Sequence, residues 1–239
     1  MLSMRIEEPT ATGAANAVRT GDVETLRKLL SENPELSTAR IVDATGNCRT
    51  LLHVATDWPG NFPNVAQTIA LLIGLGADVN ATFVGPHTET PLHWAASSDD
   101  VPALDALLDH GANLEAQGGV IANGTPLADA VAFAQWKAAG RLIERGARTN
   151  LWQAAGLGLT SRMEQHLSED PRPSSDEITS AFWCACHGGQ RETAELLLGR
   201  GADLNWVGYD HLTPVQAAKR SGADKLVLWL TSRGARPAP

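Results

Sequence analysis

The stretch Thr90-Pro91-Leu92-His93-Trp94-Ala95-Ala96, followed by Leu107-Leu108-Asp109-His110-Gly111-Ala112-Asn113, decides how the chain is read. Proline is tolerated in the first turn of a helix, where its missing N–H would have no partner, and Thr90 ahead of it supplies an N-cap oxygen. Ala95 and Ala96 leave room for a second helix to lie close. Leu104, Leu107 and Leu108 recur at helical spacing, and Gly111 suits the left-handed conformation that ends such a helix. The unit is a helix, a turn, a second helix and a short loop, about 33 residues in all.

Other copies repeat the pattern. Thr50-Leu51-Leu52-His53-Val54-Ala55 leads to Gly76-Ala77-Asp78, Thr125-Pro126-Leu127-Ala128-Asp129-Ala130 to Gly146-Ala147, and Thr213-Pro214-Val215-Gln216-Ala217-Ala218 to Gly234-Ala235. From the fourth motif residue to the closing glycine the distance is 18 residues for the pairs 93 and 111, 128 and 146, 183 and 201, and 216 and 234. Thr-Pro-Leu-His-x-Ala with a later Gly-Ala-Asn resembles the ankyrin repeat. The resemblance implies an all-α solenoid of helix–turn–helix units with short β-hairpin fingers, each repeat burying its face against its neighbours. It predicts one domain, 1–239, with repeats at 12–46, 50–88, 90–123, 125–148, 149–176, 180–211 and 213–236. Arginine exceeds lysine 15 to 4 and alanine is abundant, which points to a bacterial source of high GC content, and a stand-alone ankyrin protein of bacterial type is expected.

Composition narrows the function classes. The chain is 43% hydrophobic and 19% charged, as globular proteins are. A net charge of −8 disfavours a nucleic-acid partner, whose affinity comes from Lys and Arg neutralising phosphates. Cys48, Cys184 and Cys186 are too few and too oddly numbered for a disulfide framework, so a reduced, cytoplasmic protein is expected. Residues 1–13 hold no apolar run of the secretory kind, and no stretch approaches the roughly 18 apolar residues of a membrane span. No Gly-rich phosphate loop, Gly-x-Ser-x-Gly elbow or His-Glu-x-x-His is present, and no cofactor is expected. Cys184-Ala185-Cys186-His187 imitates a metal cluster, but on a helix the two thiols point apart, so no metal is expected either.

The irregular repeats are informative. His53 and Gly76 are 23 residues apart, and the surplus falls in Asp57-Trp58-Pro59-Gly60-Asn61-Phe62-Pro63-Asn64. Two prolines and a glycine make this a shaped loop, expected either to cover its own repeat or to wall a groove. Residues 81–89 form a long finger carrying Phe83, His87 and Glu89, and 117–123 form the next. Ahead of repeat five the finger is missing, with Trp152 expected in the fourth motif position; 170–175 reads as a plain linker and 236–239 as a frayed tail.

In the fold this chain resembles, inner helices and fingers line a concave surface. The fourth motif position points into the stack, while the fifth, eighth and ninth face the hollow. That register puts Asn16, Arg19, Val54, Asp57, Trp58, Trp94, Ser97, Ser98, Asp129, Ala132, Phe133, Gln153, Cys184, His187, Ala217 and Arg220 on the groove, flanked by Phe83, Glu89 and Tyr209 on the fingers. His53 and His93, by the same resemblance, brace the turns through hydrogen bonds. The expected function is a binding module for a protein partner. The alternative is an enzyme acting on an apolar small molecule by isomerisation, cyclisation, or protonation of an epoxide or alkene. Asp129 would then be the general acid, its pKa raised among indoles, with Asp57 or His87 as base. Trp58, Trp94 and Phe133 would stabilise positive charge.

Overall fold

Each repeated threonine, or an Asn or Ser in its place, precedes the first helix of a pair. The computed structural model describes residues 3–238, and within them fourteen α-helices form seven pairs. They are α1 (Pro9–Thr20) with α2 (Val23–Glu32), α3 (Leu51–Thr56) with α4 (Val65–Gly74), α5 (Pro91–Ser97) with α6 (Val101–Asp109), and α7 (Pro126–Ala132) with α8 (Trp136–Glu144). Then come α9 (Leu151–Gly156) with α10 (Thr160–Ser168), α11 (Ser175–His187) with α12 (Arg191–Gly199), and α13 (Pro214–Arg220) with α14 (Asp224–Ser232). The fold is all-α, its only sheet among the described residues being a small three-stranded one.

Local chemistry sets the helix ends. Thr50 and His53, Thr90 and His93, Asn150 and Gln153, and Thr213 and Gln216 form capping boxes, satisfying N–H groups that the first turn leaves open. The closing glycines Gly76, Gly111, Gly146, Gly201 and Gly234 all have φ between 87° and 97°, a region that penalises a Cβ.

The chain divides into two compact units, Met1–Ala147 and Arg148–Pro239, and the division falls where the sequence lacks a finger. In the first unit α1, α3, α5 and α7 make an inner layer, each packed on the next, and α2, α4, α6 and α8 an outer layer. Small inner residues such as Ala14, Ala55, Ala95, Ala96 and Ala130 let these backbones approach, while Leu52, Leu92, Leu104 and Leu142 fill the space between layers. In the second unit α9, α11 and α13 are the inner neighbours, and Met163, Phe182, Leu197, Leu226 and Leu230 are buried together.

Several details depart from the sequence reading. Residues 3–5, for which no strand is expected, form β1 (Ser3–Arg5), parallel to β2 (Arg40–Val42), which pairs antiparallel with β3 (Cys48–Arg49). Three residues are too short to display an alternating pattern. The 57–64 loop has attachments that the sequence does not announce. It reaches the repeats on both sides: the Asn61 N–H donates to Asp100 Oδ2 at 2.6 Å, and Asn64 Nδ2 donates to the Gly21 carbonyl at 2.9 Å. Residues 175–187 are one helix, because Ser174 and Glu177 form a capping box that starts it inside the expected linker. In repeat five the cap at Asn150 makes Gln153 the fourth motif residue and moves Trp152 to the third. The tail is not frayed through 238, since the N–H groups of Arg236 and Ala238 donate to Asn205 and Gln216; Pro239 lies outside the described residues.

Candidate functional site

The motif histidines build the site's frame. In His53, Nδ1 accepts from the Thr50 N–H and Nε2 donates to the Glu89 carbonyl at 3.1 Å. His93 repeats this one layer on, between Thr90 and the Gly124 carbonyl. Each histidine thus ties its own N-cap to the carbonyl just ahead of the next repeat's cap. Burial pushes the His53 pKa down to about 3, so the ring is neutral and keeps one donor and one acceptor.

That frame places Glu89 at the centre of a polar network. The Trp94 indole N–H donates to Glu89 Oε2 at 2.8 Å, and His87 Nδ1 lies 3.0 Å from the same oxygen. Glu89 Oε1 accepts from the Val120 N–H on the following finger at 3.2 Å. Phe83 stacks on His87 with ring centroids 4.5 Å apart and meets Trp94 at 5.5 Å. Arg49 lies over the Trp94 ring, 5.5 Å from its centroid, and reaches Asp57 Oδ2 at 3.3 Å. Arg19 approaches the same Asp57 oxygen at 3.6 Å.

Asp129 completes the network from α7. Its Oδ1 accepts from the Ile121 N–H at 3.4 Å, while no N–H is aimed at Oδ2. The finger backbone closes over it: a Cβ on Gly119 would lie 2.7 Å from Oδ2, so only glycine fits there. Burial first, and then the negative charge of Glu89, push the Asp129 pKa up to about 8. At neutral pH Asp129 therefore keeps its proton and can donate it toward Glu89, as adjacent carboxyls do when both cannot ionise.

The structure brings Asp57, Phe83, His87, Glu89, Trp94 and Asp129 into one contiguous network, but not onto an open surface. Asp129 has 0% exposure and Phe83 is buried, which corrects their assignment to the groove. The error is one of phase. At the fifth motif position Val54, Asp129, Cys184 and Ala217 are all buried, and Trp94 is only partly exposed. The ninth position is the open one in repeats two and four, with Trp58 at 73% exposure and Phe133 at 45%, whereas Ser98 is buried against the 57–64 loop. Ser97 is partly exposed, its hydroxyl donating back to the His93 carbonyl.

In the second unit Gln153 is buried in its capping box and His187 is buried and stacked on Trp183, so neither presents a contact surface. Tyr209 is exposed. Trp183 holds the fourth motif position, and its indole N–H donates to the Leu212 carbonyl at 2.8 Å, just ahead of the Thr213 cap. This is the bond the motif histidines make, supplied by a different ring. The thiols at 184 and 186 are buried, and burial pushes the Cys184 pKa up to about 12. Among the described residues no group of three His, Cys, Asp or Glu side chains converges for a metal ion.

Sequence reasoning missed Arg49, which no motif marks, and missed Glu89 as the hub, because its role depends on a finger packed from the next repeat. The repeated ties from fourth residue to next cap are the observation that decides the family. Residues 87–116 and 179–209 each match a family model described as ankyrin repeat. The chain carries ankyrin repeats. Both matched ankyrin segments contain a fourth-position ring making the forward bond, His93 in the first and Trp183 in the second. Ankyrin repeats bind other proteins in general, and no helix among the described residues is long and apolar enough to cross a membrane.

Proposed function

We propose that this ankyrin protein is a protein-binding module whose contact surface in the first unit is built on the C-terminal ends of the inner helices. The observation that carries this is the exposure of Trp58 and Phe133 at the same motif position, two repeats apart. Exposed aromatic rings on a rigid support are the residues that most often dominate binding energy at an interface. The support is rigid because the Glu89 network and the 57–64 loop lock the fingers and turns beneath it. The acid–base alternative needs an acid within reach of a substrate, and Asp129 is covered by residues 119–124.

The test is a quantitative pull-down from the source lysate with wild type and a Trp58→Ala/Phe133→Ala double variant. Both side chains are exposed, so the variant should keep its helical circular dichroism. A partner retained by wild type and lost by the variant is the expected result. Identical recovery by both would remove this surface from the interface.

A further inference from the structure

A cleft of about 800 Å³ opens in the second unit, apart from the surface just described. One wall is an aromatic corner. The rings of Trp206 and Tyr209 meet at 88° with centroids 5.8 Å apart. Tyr209 is half exposed yet held fast: its ring meets the buried Trp183 edge-on at 5.1 Å, and its hydroxyl is 2.9 Å from the Ser180 hydroxyl. Gly208 lets the Trp206 ring lie across the backbone, since a Cβ there would collide with it. Trp152 and Trp206 both pack against the buried cluster around Trp183.

The other walls mix carboxylates with polar and apolar residues. Glu169, which lies 3.0 Å from His166 Nδ1, stands with Asp176 and Glu177 against a single permanent cation, Arg172, which also borders the neighbouring cleft with Leu167 and Arg200. Glu177 accepts from the Ser174 N–H and hydroxyl, which holds its pKa below the usual carboxylate value and keeps it charged. These carboxylates do not converge as metal ligands do. The cleft is therefore unsuited to a compact, strongly hydrated ion. Two perpendicular π faces with dispersed negative charge suit a large, weakly hydrated cation, because the ring quadrupole attracts positive charge that sheds water cheaply.

We propose that this cleft binds a quaternary ammonium group. Two sources carry that chemistry, a free choline-like molecule and a trimethylated lysine in a peptide. Calorimetric titration of the full chain with choline, with its neutral isostere 3,3-dimethylbutanol, and with a short trimethyl-lysine peptide separates them. Choline should bind at least about tenfold more tightly than the isostere, the margin a cation–π contact provides. Tyr209→Ala should erase the difference. Glu169→Gln, a change at an exposed side chain, should reduce choline affinity without altering the fold. Tighter binding of the peptide than of choline assigns the site to a modified protein, and equal binding assigns it to the small cation. Equal affinity for choline and its isostere, or no binding of either choline or the peptide, would overturn the proposal.

Discussion

Asp129 links sequence to stability most directly. Its pKa rises on folding from 3.8 to about 8, so between those values the native chain holds a proton the unfolded chain has released. Stability must then fall as pH rises through that window, by at most about 1.4 kcal/mol per pH unit for one proton. Asp129→Asn keeps the acceptor for Ile121 and offers a permanent donor toward Glu89. It should flatten this slope, which urea midpoints measured at about pH 5 and about pH 8 would show; an unchanged slope would place the titration elsewhere. Trp183 permits a second measurement. Trp183→Phe keeps a buried ring but leaves the Leu212 carbonyl only the Gly208 N–H as donor, an expected loss of about 0.5–1.5 kcal/mol in chemical denaturation. A loss indistinguishable from zero would mean that water replaces the bond.

The threonine caps and closing glycines of repeats two, three, four and seven were legible because each rests on a local rule, a capping oxygen, proline in a first turn or positive φ at glycine, whereas the Asn150 and Ser174 caps, which lack the Thr-Pro signature, were not. Which residues face outward was less legible. The motif gives position along the helix, but a finger folded over α7 decided that Asp129 is buried, and no periodicity reports a finger's path. The same applies to the 57–64 loop, whose prolines announced a shape and not its attachments. Asp100 is the test of that attachment. It is fully buried and accepts both from Ala103 N–H, capping α6, and from Asn61 N–H. Asp100→Ala should cost about 2 kcal/mol, since one buried and one part-buried donor lose their partner. Asp22 caps α2 within its own helix, through Thr25, and at an exposed site, so its removal should cost visibly less in the same denaturation series. Equal losses would show that the loop contact adds nothing.

A molecule assembled from repeats distributes its stability among neighbours, and the two compact units give this chain two places to store it. Leu92→Ala, in the buried centre of the first unit, should cost about 2–5 kcal/mol locally. Hydrogen exchange should accelerate in α5 and α6, while α11 and α12 keep their protection. Uniform acceleration along the chain would mean that it unfolds as one body. Trp58 gives such experiments a built-in reporter. It alone among the seven tryptophans stands in water, the other six being partly or fully covered. Its fluorescence should sit at the red edge of the emission and be the first quenched by iodide, so a molecule settling on that face announces itself as a blue shift and protection from the quencher, with no label attached.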